Sequence, residues 1–211
     1  MIPKLHYIAE GNSSEEIIEN IQKACSSGIE LVRLSLENVF KSKSLALAKK
    51  AREITSYFQT RLIIEDNYKI AKDVKADGVH FTKLNADFTK ARIHLYNWQI
   101  IGATANTLQE SEILVDNNID YITLSPFRNS KLDQDIKTLG LNGFSLITEA
   151  LKTETPILGE GEITVEDIPS ILKTGISGVA ISEAISANFD SIKEFHQLLK
   201  ASSIDEKRHT F

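Results

Sequence analysis

The residues of this 211-residue chain that could do chemistry fall at the ends of short apolar runs. "RLIIEDN" (61–67) leaves its apolar stretch in Glu65, Asp66 and Asn67, and carboxylate and carboxamide oxygens of that kind can hold a hard cation such as Mg²⁺. Arg33 and Ser35 follow "IELV" (29–32), and His80 with Lys83 and Asn85 follows "DGV" (77–79). Thr104 and Asn106 come after "IIGA", Ser125 to Lys131 after "YITL", Gly161 and Glu162 after "PILG", and Ser182 after "GVAI". A guanidinium can grip an anion or pair with a carboxylate. The glycine-bearing turns "GEGEIT" and "GISGVAISEAI" could aim backbone N–H groups and a helix N-terminus at a phosphate. Glycines also end strands and helices for conformational reasons alone, so both readings stay open.

The same residues have plainer readings. His80 reads equally as a packed, hydrogen-bonded core histidine. Arg33 can pair internally with Glu65 or Glu37, because a buried charge demands a partner. Lys83 can be a solvated surface cation. Adjacent residues of an extended segment point to opposite faces, so Glu65 and Asp66 are not expected to share a cavity. Asp66 is the one expected to face it, with Glu65 seeking a cation such as Arg33. Cys25, the only cysteine, lies in the amphipathic segment "EEIIENIQKACSSG" and reads as a packing residue.

The elements that must position these groups follow from periodicity. Strand-sized apolar runs recur at 5–9, 29–34, 61–65, 78–81, 99–104, 121–125, 155–159 and 178–182, with helical patterns such as "SLALAKKAREITSYF" (44–58) and "TLQESEILVDNN" (107–118) between them. Thr107 and Glu110 have capping-box spacing. Continuous apolar strands alternating with helices indicate a parallel sheet covered by helices. Eight such units predict a single (β/α)₈ TIM barrel over residues 1–200, whose strand carboxyl ends would carry function, with a polar tail at 201–211. A doubly wound open sheet is the alternative, although "AEGNSSEE" lacks the G-x-G-x-x-G spacing of a dinucleotide site.

Composition limits the partners. With 42% hydrophobic and 25% charged residues the chain has an ordinary globular balance. A formal charge of -5 without a basic block argues against nucleic acid. No apolar run approaches the roughly 20 residues of a spanning helix, and "MIPKLHYIAE" reaches charge too soon for a secretory leader, so a cytoplasmic protein without membrane association is expected.

"RLIIEDNYKIAKDVKADGVHF", "WQIIGAT", "DYITLSPF" and "TGISGVAISEAI", in this order and spacing, resemble the thiamine-phosphate synthase family, which includes the thiazole tautomerases. The resemblance implies a (β/α)₈ barrel of thiamine biosynthesis. It further implies the joining of hydroxymethylpyrimidine diphosphate to a thiazole phosphate, with pyrophosphate released and Mg²⁺ assisting. Carried over by position, Asp66 would bind Mg²⁺ in the presence of a diphosphate, Lys131 would meet the diphosphate, and Thr104 would orient substrate. Arg33, His80 and Ser125 would bind substrate, and Gly161, Gly178 and Ser182 the phosphate. The partners expected are a small phosphorylated metabolite and a second copy of the chain in a homodimer.

The pattern departs from the family at several of these positions. Its Q-x-R-x-K element falls on Arg33, Ser35 and Glu37, its Asn-Asp pair on Glu65 and Asp66, and its second metal aspartate on Asn85. A Gly-Gly pair becomes Gly161-Glu162, and the tautomerase histidine falls on Pro126. Two functions therefore stand side by side: a divergent synthase, or a catalytically impaired paralogue that binds a thiamine-pathway phosphate metabolite or a protein partner.

Overall fold

Apolar runs become strands and periodic segments become helices in the computed structural model, which describes residues 1–129 and 137–208, with side chains as far as residue 200. The first half of the chain runs β1 (Leu5–Ala9), α1 (Ser14–Ser26), β2 (Leu31–Leu34), α2 (Lys41–Tyr57), β3 (Arg61–Glu65), α3 (Tyr68–Asp73), β4 (Gly78–Phe81) and α4 (Phe88–His94). It continues as β5 (Ile100–Ala105), α5 (Leu108–Asp116), β6 (Tyr121–Leu124), α6 (Gly140–Leu151), β7 (Ile157–Glu160), α7 (Ile168–Leu172), β8 (Gly178–Ile181), α8 (Glu183–Ala187) and α9 (Ser191–Arg208), with a 3₁₀ turn, Val165–Asp167, before α7. Neighbouring strands pair in parallel and in chain order, and β1 closes on β8 with Leu5 opposite Val179 and Tyr7 opposite Ile181. That closure makes a (β/α)₈ barrel and excludes the open sheet.

Several expected boundaries shift, most of them by one or two residues: β2, for example, begins at Leu31 rather than at residue 29. β7 continues one residue beyond its apolar run because Glu160 still pairs with Ala180 of β8. α9 continues to Arg208, so the stretch expected as a tail from residue 201 begins as helix. No proline or glycine interrupts "KASSIDEKR", and nothing local forces a stop.

Strand alternation sorts the side chains. Leu5, Tyr7, Ala9, Val32, Leu34, Leu62, Ile64, Val79 and Phe81 face outward into the helix-covered core. The alternate positions face the barrel axis, and they are unusually polar: His6, Arg33, Glu65, His80, Thr104 and Thr123 are all buried. Branched aliphatic residues dominate that space in most barrels. Gly102 makes room within it, since a Cβ there would lie 2.1 Å from the Tyr121 ring.

Helix starts use the expected chemistry. Ser13 caps α1 by accepting from the Glu16 amide at 3.1 Å, while Glu16 accepts from the Asn12 amide at 2.8 Å. Thr107 caps α5, but Glu110 reaches the Asn106 amide, one residue earlier than a strict capping box. Asn67 caps α3 through the Ile70 amide at 3.0 Å, so one member of the "EDN" trio is accounted for by helix initiation.

Candidate functional site at the barrel mouth

A cavity of about 930 Å³ opens at the carboxyl ends of the strands. Residues from β1, β2, β3, β7 and β8 and the loops after them line it, including Arg33, Glu65, Glu160, Gly161, Glu162 and Ser182. Its size lies within the range of small-molecule sites.

Arg33 forms the floor. Its Nε and one Nη donate to Glu65 Oε1 at 3.0 and 2.6 Å, and the other Nη donates to Glu160 Oε2 at 2.7 Å. Its side chain is only 1% exposed. Burial works against the guanidinium charge, but Glu160 and Glu65 outweigh it and raise its pKa. Glu65 shows the opposite balance. Burial raises its pKa, and the pull of Arg33 only partly offsets that. The arrangement is an internally compensated triad with one carboxylate in excess, and Arg33 is thus the pairing residue its plainer reading anticipated.

His80, Tyr121, Thr104 and Thr123 form a second, neutral set inside the barrel. His80 Nδ1 lies 3.0 Å from the Tyr121 hydroxyl and its Nε2 2.9 Å from Thr104 Oγ1, which is 2.9 Å from Thr123 Oγ1. Burial first, then the charge of Arg33, holds the His80 pKa well below the ordinary imidazole value, so it stays neutral. His6 crosses Tyr121 edge-on, and burial pushes its pKa down to about 3. Thr104 and His80, expected at the substrate, are instead joined to one another, and neither lines the cavity.

Asp66 does not line the cavity. It was expected to face the cavity with Glu65 turned aside, yet Glu65 lines the mouth and Asp66 does not. Alternation along β3 puts Arg61, Ile63 and Glu65 on the inner face, and the chain then enters a left-handed turn at Asp66, φ +53°. There the Asp66 carboxylate accepts from the Thr82 amide at 2.9 Å and the Thr82 hydroxyl at 2.6 Å, clamping the ends of β3 and β4 together. Asn85 and Lys83 are exposed in the turn beyond β4. No group of three His, Cys, Asp or Glu side chains converges at metal distance among the described residues. Mg²⁺ leans on one or two carboxylates plus ligand oxygens rather than on an all-protein cage, and the carboxylate expected to hold it, Asp66, is taken up by Thr82.

Of the three residues expected at a phosphate, Gly161 and Ser182 line the cavity and Gly178 does not. Gly178 opens β8 at the far end of the barrel, where an added Cβ would lie 2.3 Å from the Lys4 carbonyl oxygen. Ser182 does reach the mouth, but its hydroxyl donates to the Glu10 carboxylate. Gly161 adopts φ +104° beside Pro126 and Phe127, and Glu162, at φ +44°, lines the cavity beside it. Ser125 is not among the cavity-lining residues; its carbonyl accepts from Asn106 Nδ2 at 2.7 Å. Lys131 lies outside the described residues.

Some participants were not anticipated. Glu160, Glu10 and Glu183 line the cavity, and Glu160 could have been found by carrying the inward alternation of Leu158 two residues on. Arg128 donates to Asp167 and to the Glu162 carbonyl, and its guanidinium lies 4.7 Å from the Phe127 ring centroid. Burial raises the Asp167 pKa, but the bonds from Arg128 and Thr164 outweigh it and lower the value. This bridge ties the start of the loop after β6 to the turn after β7.

Residues 5–185 match the family model described as thiamine monophosphate synthase. The thiamine-phosphate synthase of Flavobacterium johnsoniae is 33% identical over 211 residues, covering 97% of this chain and 100% of the relative. That of Bacteroides fragilis is 28% identical over 199 residues, covering 92% and 98%. Among solved structures, a thiamine phosphate pyrophosphorylase from Pyrococcus furiosus superposes with a TM-score of 0.79 at 22% identity, covering 94% of this chain and 96% of that one.

Proposed function

The chain belongs to the thiamine monophosphate synthase family of thiamine biosynthesis, and from that premise we propose that it holds a small pathway metabolite at the strand-end mouth while the diphosphate-releasing condensation is impaired. One observation carries this reading: the guanidinium at the floor of the mouth is held by Glu65 and Glu160. Condensation with loss of a diphosphate needs positive charge aimed at the leaving group as the bond breaks. A guanidinium already neutralised by two carboxylates supplies little. Ser35 and Glu37 stand where the resemblance places the family's other two polar contacts, and neither is a cation.

Thiamine-phosphate synthases in general use Mg²⁺. Asp66, the carboxylate the resemblance assigns to that ion, is bound to the Thr82 amide and hydroxyl. Binding, orientation and exclusion of water remain for this chain's own residues: the Arg33 triad closes the floor, the Arg128–Asp167 bridge steadies the Gly161–Glu162 turn, and the Asp66–Thr82 clamp fixes the β3–β4 side.

The reading of an active synthase is favoured by the 33% identity to a thiamine-phosphate synthase over nearly the whole chain. One assay separates the two. Purified protein with hydroxymethylpyrimidine diphosphate, thiazole phosphate and Mg²⁺ is expected to release pyrophosphate at least 1000-fold more slowly than the roughly 1–1000 per second of ordinary enzymes. Turnover within that ordinary range overturns the impaired reading and establishes the synthase.

A further inference from the structure

We propose that α4, the turn after it and the outer face of α5 form the docking surface for a second copy of this chain, paired about a two-fold axis. The inference goes beyond the proposed function, because this surface and the strand-end mouth share no lining residue.

The first observation is apolar. Ile93 on α4 is 80% exposed, Trp98 in the following turn 54% and Ile113 on α5 44%. A groove of about 240 Å³ lies between α4 and the end of α5, lined by the exposed Ile93 and by the buried Phe88, Ile101 and Ile119. The turn adjoins this groove, since Arg92, which also lines it, donates to the Gln99 carbonyl at 3.0 Å and to Asp120 at 2.6 Å. Trp98 stacks on Tyr96 with ring centroids 5.7 Å apart, so the exposed ring is held in place. Single exposed apolar residues are ordinary, but several around one groove mark an interaction surface.

The second observation is charge, and it selects the occupant. The titratable residues of α4 are Lys90, Arg92 and His94, with no acid, and those of α5 are Glu110, Glu112 and Asp116, with no base. Arg92 and Glu110 are engaged within the chain, at Asp120 and at the Asn106 amide. Lys90, Glu112 and Asp116 are exposed and join no ion pair among the described residues. A two-fold axis sets residue i of one copy against j of the other, and j against i. An axis running between the two helices therefore lays the basic α4 of each copy against the acidic α5 of the other, with the apolar residues between them. A surface of one sign would repel its own copy. This one is its own complement, which favours a second copy over an unrelated protein. Exposed ion pairs contribute little affinity, so the apolar residues hold the pair together and the charges set its orientation.

The test is sedimentation equilibrium of the full chain at micromolar concentrations, combined with acrylamide quenching of Trp98, the only tryptophan. The expected result is a concentration-dependent dimer in which Trp98 becomes shielded as the mass doubles. Ile93→Glu is expected to weaken the dimer at least about tenfold. Leu146→Glu, at a 68% exposed leucine on α6, is expected to leave it unchanged. Lys90→Glu, and separately Glu112→Lys with Asp116→Lys, are expected to weaken self-association, and an equimolar mixture of the two variants is expected to restore a dimer. That restoration would also show that both variants fold. A chain that stays monomeric overturns the proposal, as does a Trp98 already shielded in the monomer, where the chain's own residues would cover the surface. A dimer indifferent to Ile93→Glu puts the interface elsewhere and overturns it too. Charge variants that self-associate like the parent, or that fail to pair in the mixture, overturn the two-fold arrangement.

Discussion

Two polar sets lie buried in the same barrel, and they are stabilised in different ways. The triad Arg33–Glu65–Glu160 is ionic, and each member is tolerable only because the others compensate it. The set His80–Tyr121–Thr104–Thr123 is neutral, and it persists because its polar atoms pair with one another within the barrel. One set adjoins the cavity and the other does not. The difference teaches that buried polarity at strand ends is not by itself a sign of chemistry. Whether it faces a ligand depends on which layer of the barrel it occupies.

Removing the cation of the ionic set has the largest expected effect. Arg33→Ala strands Glu65 and Glu160 without their partner and is expected to destabilise the fold by about 3–5 kcal/mol in urea denaturation. Replacing the whole triad with apolar residues, Arg33→Met with Glu65→Leu and Glu160→Leu, is expected to recover most of that loss, since no charge is then left uncompensated. A loss as large in the triple variant as in the single one would show that the triad is not a self-contained unit.

A middle-sized effect comes from pH. His6 and His80 have folded pKa values below the ordinary 6.5, His6 at about 3, so below pH 6.5 the unfolded chain gains protons that the folded chain does not. The stability these histidines contribute is complete above pH 6.5 and declines as pH falls toward the folded values. At pH 5 the loss relative to pH 7.5 is about 2 kcal/mol for His6, and His80 acts in the same direction. Glu65, with its pKa raised by burial, acts in the opposite sense. The informative quantity is therefore the difference between wild type and His6→Phe, which is expected to flatten the pH profile by about 2 kcal/mol. An unchanged profile would mean that His6 is protonated in the folded barrel.

The smallest effect sharpens the neutral set. Tyr121→Phe keeps the ring, stacked on His80 at 5.4 Å between centroids, and removes only the hydroxyl bonded to His80 Nδ1. A loss of about 1–2 kcal/mol is expected, the usual consequence of one unsatisfied buried partner. A loss near that of Arg33→Ala would place Tyr121 in the ionic unit instead.

The sequence by itself determined the architecture. Eight apolar runs separated by helical periods admit few other topologies, and residues such as Asn67 and Thr107 begin their helices through local bonds that neighbouring residues suffice to specify. The pairing of Arg33 with Glu65 was also legible, since a charged residue within an apolar strand implies a partner nearby. Tertiary structure alone decided the rest. Whether Glu65 or Asp66 faces the axis depends on the inward phase of β3, which the barrel's closure sets. Glu160 joins Arg33 across 127 residues of sequence. Gly178 falls at the wrong end of its strand for a phosphate turn because β8 begins there, against the Lys4 backbone. Local periodicity reports which residues share a face, but only closure of the sheet brings distant strand ends into one cavity and fixes the sign of its charge.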